Sequence, residues 1–386
     1  MNKTIVIITS LIMMIILGSV YTWSVFRIPV ETEYHVNTFL SGLPYMTSLI
    51  FYALAMVLTG RFLTFNTIKN IGFIGVFFIF FGWIMAGFTS TIFGLVIMYG
   101  VFIGTGVGML YGIPIMLIQS LFKQNSGFYT GLVLGGFGLS PLVTAPFIRT
   151  LLTQFSLHQT FIIMGLSVFA ILMLTTAVLT KTHKHETPIS IHISSISIDR
   201  RFVILYGLFL LGTTIGLMMI GLSYQVGVQY YQFTPVLVTI GMTVFALANG
   251  LSRVLFGFLS DRFKVTSVMA SVLFVLLFSG VIAYLNNGSY YVLYLLSFTG
   301  FWFILGAWLA IAPNAIKTMY GLNNYSKRYG MLFTAYGVGA IIGVSSSGLL
   351  LDALNKTRGL YIGIIVVAAI SYLILYTNKN VLNQRG

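Results

Sequence analysis

The sequence predicts an all-α membrane protein in which twelve transmembrane helices form two pseudo-symmetric six-helix bundles. Three observations lead there. Only 7% of the 386 residues are charged, 58% are hydrophobic and the mean hydropathy is +0.98, where a soluble domain carries about 25% charged residues. The apolar residues fall into twelve runs, each near the roughly 20 residues a helix needs to cross the hydrocarbon core. The second half also repeats the first. Pro114, Gly131, Phe137 and Gly138 recur as Pro313, Gly330, Tyr336 and Gly337, every pair 199 residues apart, and such an internal repeat is what paired transporter halves show.

Cutting at polar or turn-rich breaks gives spans at 4–28, 41–62, 69–89, 91–121, 126–152 and 159–180, then 201–224, 235–258, 265–285, 290–316, 329–351 and 359–377. The first begins like a signal peptide, with Lys3 before an apolar run. It continues through Tyr21, Trp23 and Phe26 without a small-residue cleavage site, so it is expected to stay as a helix. The fourth, fifth and tenth are long enough to tilt or to pass the membrane surface. Between the sixth and seventh lies the longest polar stretch, Lys181 to Asp199, which divides the chain into bundles 1–180 and 200–386 joined by a linker at 181–199. His183, His185 and His192 fall in it; no other strong ligand is fixed nearby, so a solvated linker rather than a metal site is expected.

The formal charge of +14 would suit a nucleic-acid binder, but Lys and Arg sit in short segments between apolar runs. That placement is the positive-inside pattern and excludes a polar domain able to grip a duplex. With the N-terminus in the cytoplasm, the inside segments collect most cations, from Lys3 and Lys69 to Lys379 and Arg385. The outside segments keep Arg27, Arg149, Lys356 and Arg358 beside Glu31 and Glu33. Both termini are therefore expected in the cytoplasm, in a multi-pass protein of the plasma membrane. The chain has no cysteine, which removes disulfides and thiolate metal sites. No cofactor or metal is expected.

The sharpest local signal is Asn249 to Lys264, NGLSRVLFGFLSDRFK. Arg253 stands inside an apolar run, where a charge costs about 2.5–3.5 kcal/mol on insertion scales. It could snorkel towards the surface. Asn249, however, precedes it by one helical turn, and an amide beside a guanidinium makes a polar face that lipid would not tolerate. A guanidinium matches a carboxylate bidentately and stays charged, so Arg253 and Asn249 are candidates for binding an anion. The corresponding helix of the first half, IFYALAMVL at 50–58, has no cation. Asp261 and Arg262 end the eighth helix, where an aspartate can bond a neighbouring helix N-terminus and latch one conformation. The first half keeps Gly60 and Arg61 of that motif but no acid.

Other features divide into packing and site. GTGVG at 104–108 has no preceding strand and is no phosphate loop; Gly100, Gly104, Gly108 and Gly112 make a small-residue face on which helices can approach closely. Tyr21, Trp23, Tyr111 and Tyr336 fall within spans beside glycine or proline, and Phe137 is the repeat counterpart of Tyr336. Together they suggest an aromatic cavity whose polar tips orient a small ligand.

Four blocks carry a family resemblance: GSVYTWSVF, GVGMLYGIP with GGFGLSPLVTAPF, NGLSRVLFGFLSDRF, and YGMLFTAYGVGAIIG. They resemble the major facilitator superfamily, within it the oxalate/formate antiporter family, and more distantly the monocarboxylate transporters. The resemblance implies the major facilitator fold. It also implies that Arg253 binds substrate carboxylate, with Tyr21, Tyr111, Phe137 and Trp308 lining the cavity. Two departures matter. The oxalate carrier of that family has a lysine in helix eleven where this chain has Tyr336, and the charged loop after helix four is reduced to LFKQNSG.

The expected function is secondary transport of a small carboxylate by alternating access, with a monocarboxylate such as lactate, pyruvate or formate preferred. The alternatives are an oxalate/formate-type exchanger, a carrier of another small anion such as nitrate, or a non-transporting sensor. No soluble domain is appended for a sensor, and no Ser-His-Asp set or nucleotide loop supports an enzyme. The predicted spans hold no Asp or Glu, so a counter-anion, or a proton travelling with the substrate, is expected in place of a carboxylate relay. The partners expected are the organic anion and the bilayer, and the protein is expected to be a monomer.

Overall fold

A computed structural model describes residues 3–60, 62–63, 66–122, 126–181, 198–286, 288–321, 325–354 and 357–383. Twelve helices long and apolar enough to cross a membrane follow one another: α1 Lys3–Tyr34, α2 Thr38–Gly60, α3 Ile68–Ala86, α4 Ile92–Ile118, α5 Gly127–Gln154, α6 Leu157–Lys181, α7 Arg200–Tyr230, α8 Pro235–Arg262, α9 Val265–Leu285, α10 Tyr291–Tyr320, α11 Arg328–Leu351 and α12 Arg358–Leu382. No strand occurs among the described residues. The histidines at 183, 185 and 192, and Arg61, lie outside them.

Helix starts are set by local chemistry. Thr91 and Thr234 each cap a helix by accepting from the backbone N–H three residues on, and Pro235 takes the first turn of α8, where no donor is needed. Asp199 caps α7 through Phe202 N and also binds Arg201 and the Tyr320 hydroxyl. Three spans are irregular: α1 tightens to 3₁₀ at Gly18–Thr22, α4 runs as a π-helix over Val96–Ile103, and α7 ends in a π-turn at Val226–Tyr230. Such breaks concentrate where a helix serves more than packing.

The halves meet along α5–α8 and α2–α11, with α1 against α7. α3, α6, α9 and α12 instead present Phe77, Leu174, Phe274 and Leu373 outward, as lipid-facing helices do. The small-residue face of α4 packs on α2, with Gly104 against Ser48 and Gly108 against Tyr52. On α11 it is Gly337 that meets α2, at Ala53; Gly339 and Gly343 pack on α7 within their own half.

Two expectations need correction. The first span does not stop at residue 28 but continues past Pro29 to Tyr34, and α8 continues to Arg262. Glu31, Glu33 and Asp261 are therefore helical, so the spans do contain acids. Pro29 sits inside α1 without ending it; it removes one backbone bond, and the turns beyond it are held by the partners that Glu31 finds on α2 and α7.

Candidate functional site around Arg253

Arg253 is fully buried on α8. Its Nη2 donates to Asn249 Oδ1 at 3.1 Å, the partner one turn back. Its Nη1 donates at 3.0 Å to the Leu134 carbonyl of α5, across the boundary between the halves. Nε has no partner, and no acidic side chain of the described residues forms an ion pair with the guanidinium. Asn249 is itself held, because its Nδ2 donates to the Trp302 carbonyl at 2.6 Å. Its amide therefore braces the arginine and has its oxygen and one nitrogen hydrogen already committed.

An aromatic shell closes over the cation. The Phe137 ring lies 5.6 Å from the guanidinium carbon, within cation–π range. The Tyr21, Tyr52, Tyr111 and Tyr336 side chains surround it. Tyr21 and Tyr336 share a hydrogen bond of 2.8 Å that joins α1 to α11 across the halves. Tyr52 contacts Tyr111, Phe137, Phe333 and Tyr336 at centroid distances of 5.2 to 6.0 Å. All of these residues are at most 2% exposed. The shell is therefore closed to solvent on the side of these residues.

Local structure explains the assembly. Gly18 lets α1 press onto the Phe137 carbonyl and Ser140 of α5, and the 3₁₀ turn that follows carries Tyr21 into the centre. A Cβ at Gly18 would collide with that carbonyl. The repeat brings Phe137 and Tyr336 from opposite halves to the same place, where both flank Tyr21 and Tyr52.

Of the residues singled out in the sequence, Arg253, Asn249, Tyr21, Tyr111, Phe137 and Tyr336 come together. Trp23 does not join them. Its ring packs on Phe26, Tyr99 and Phe161, and its N–H donates to Ser41 O, all within the first half. Trp308 stands against Gly212 of α7 with its indole N–H unpartnered. Trp302, not Trp308, reaches Tyr21, at 6.5 Å. Asp261 directs its carboxylate at Gly127, the first turn of α5, while Arg262 lies over the Phe258 ring at 4.1 Å.

Sequence reasoning missed Tyr52, Trp302 and Phe333. Phe333 was findable, since it precedes Tyr336 by three residues and shares its helix face. It also missed a second buried arginine. Arg27 is 1% exposed and satisfies all three of its nitrogens: Nε with Ser41 Oγ at 3.2 Å, Nη1 with Gly221 O at 3.3 Å, and Nη2 with Thr38 O. The signal for it was Arg27 four residues before Glu31, which makes sense only if the helix continues.

The class of protein is thus a polytopic helical membrane protein with buried arginines, Arg27 and Arg253, bonded across the boundary between its halves. The model of the Major Facilitator Superfamily matches residues 6–325 and 202–384, and the chain belongs to that family. It is 22% identical over 352 residues to the uncharacterized MFS-type transporter YhjX of Escherichia coli K12, spanning 88% of this chain and 86% of that one. It is 24% identical over 344 residues to the oxalate:formate antiporter of Oxalobacter formigenes, spanning 86% and 81%.

Proposed function

We propose that this major facilitator protein carries a small carboxylate, a monocarboxylate such as lactate, pyruvate or formate, by alternating access. Residues 1–180 and 200–386 act as the two moving bodies, joined by the linker, with both termini in the cytoplasm and the protein in the plasma membrane. The observation that carries the proposal is Arg253: a buried guanidinium without an acidic partner among the described residues, with Nε unpaired. A charge left uncompensated in a dry core costs several kcal/mol, and a bound carboxylate removes that cost. Asn249 and Leu134 O fix the guanidinium, and the tyrosine hydroxyls supply donors to the remaining anion oxygens. The aromatic shell excludes water and restricts size.

The likeness to an oxalate:formate antiporter supports a small anion and an exchanged counter-anion, and keeps oxalate as the second reading. One cation in the shell favours the monoanion, because a dianion would leave one charge unmatched. Equilibrium binding of formate, lactate and oxalate to the purified protein, followed by counterflow in proteoliposomes, tests both. Saturable monocarboxylate binding and exchange are expected. Tighter oxalate binding would replace the first reading by the second, and binding without flux would leave a sensor.

A further inference from the structure

The end of the molecule opposite the termini holds a polar cluster that the substrate site does not use. α1 enters it with Arg27 and Glu31, α2 with Thr38 and Ser41, and α7 with Gly221, Gln225 and Gln229. Glu31 collects Ser41 Oγ at 2.7 Å and Gln225 Nε2 at 2.9 Å on one oxygen, and Gln229 Nε2 at 3.2 Å on the other. Gln225 Nε2 also reaches Thr38 Oγ1 at 3.1 Å. Ser41 links the two charges, accepting from Arg27 Nε and donating to Glu31.

What matters is which half each partner comes from. Arg27, Glu31, Thr38 and Ser41 belong to the first six helices, and Gly221, Gln225 and Gln229 to the seventh. The bonds from Arg27 to Gly221 O, and from Gln225 and Gln229 to Glu31, therefore cross between the halves. The glutamines donate to a carboxylate, and charge-assisted bonds of that kind are about twice as strong as neutral ones. A scaffold helix pair in lipid would need no such arrangement, since close apolar packing already holds it. Tyr45, whose hydroxyl donates to Leu217 O at 3.4 Å, extends the same seam towards the site.

We propose that Arg27, Glu31 and Gln225 form the gate that closes this end over the Arg253 site, and that opening towards this side proceeds by breaking the bonds from Gln225 and Gln229 to Glu31. The proposal rests on the alternating-access reading above. The carboxylate sets the strength of the closure, and Arg27 is tied to that carboxylate through the Ser41 hydroxyl while it bonds Gly221 O across the seam. Residues of the gate act on the position of the halves and do not touch the substrate.

The chain lacks cysteine, so single reporters can be read without background. Ser345→Cys reports this end, where Ser345 Oγ meets Met46 Sδ of α2 at 3.4 Å. Val57→Cys reports the end of the termini, where it faces Gly330 of α11. Labelling by a maleimide in detergent is followed in each reporter alone and with Glu31→Gln or Gln225→Leu. Each gate substitution is expected to speed labelling at position 345 roughly tenfold and to slow it at position 57, because opening one end closes the other. Unchanged rates would overturn the proposal. So would faster labelling at both positions, which is what simple loosening of the fold produces. No substrate is present in this measurement, so failure of the gate is separable from failure of the carboxylate assignment, which formate binding to the unaltered protein reads.

Discussion

Two fully buried arginines, 226 positions apart in the chain, are bonded in two different ways. Arg27 and Arg253 both reach across the boundary between the halves to a backbone carbonyl, Gly221 O in one case and Leu134 O in the other. They differ in what is left over. Arg27 has every nitrogen bonded and a carboxylate one hydroxyl away. Arg253 has Nε free and only neutral partners. A guanidinium with its capacity used is a fastener, and one with capacity in reserve is what the proposed carboxylate site requires. Burial alone does not distinguish the two.

The largest test of this contrast is the pair Arg27→Gln and Arg253→Gln. Losing Arg27 leaves Ser41 Oγ and the Gly221 and Thr38 carbonyls short of a donor, and breaking such a buried set costs about 3–5 kcal/mol. Its melting temperature is expected to fall clearly. Removing Arg253 deletes a charge that has no counter-charge, so stability of the substrate-free protein should hold or rise, while carboxylate binding is lost. Arg253→Lys should keep the fold yet lose most transport, roughly a hundredfold, since a point charge replaces a planar fork. Thermal unfolding and equilibrium binding on the same preparations decide it. Equal destabilisation by both glutamine variants would return Arg253 to a structural role.

The same contrast shows what the sequence could convey. Arg253 was legible because it stands in an unbroken apolar run with Asn249 one turn away. Arg27 was not, because Pro29 and two glutamates follow it closely and look like the end of a span. The helix continues through them because tertiary partners on α2 and α7 satisfy those charges, and no local pattern encodes that. Helix number and most boundaries were legible for the plain reason that hydrophobic thickness sets span length, but α1 and α7 each run six residues beyond their expected ends. The repeat identified Phe137 and Tyr336 as equivalents. It could not separate Trp308 from Trp302, since choosing between two indoles six residues apart on one helix depends on rotation against α1 and α8.

Two smaller effects sharpen the receptor side. Tyr336→Lys puts a second cation beside Arg253, so binding should shift from monocarboxylate towards oxalate by roughly tenfold or more, the range of a newly paired buried charge. An unchanged ratio of the two affinities would refute the one-cation argument. Asn249→Leu removes the brace on Nη2 and frees the Trp302 carbonyl. Affinity should fall about tenfold, the cost of one hydrogen bond to a charged group. No loss in a calorimetric titration would mean that Leu134 O alone orients the guanidinium.

The smallest expected effect lies at the end of the termini, where the proposed latch is of a different kind. Asp261 is exposed, and its carboxylate oxygens stand 2.8 and 3.2 Å from where a Cβ on Gly127 would be. Gly127 lies in the first turn of α5, whose backbone N–H groups have no intrahelical acceptors. A carboxylate there gains from the helix dipole, about 0.3–1 kcal/mol at an exposed position. Against the two charged bonds that reach Glu31 from α7 at the other end, the proposed latch is a light one. Asp261→Asn keeps the shape and loses the charge, so the balance between the two closed ends should move by a factor of about two to five. Because the Arg253 shell is untouched, intrinsic affinity should stay constant while turnover changes. Gly127→Ala should act in the same sense, since the added methyl displaces the carboxylate. Exchange rates at saturating substrate, set beside equilibrium binding, measure the two quantities separately. A fall in affinity with turnover intact would show that Asp261 communicates with the site and is no latch.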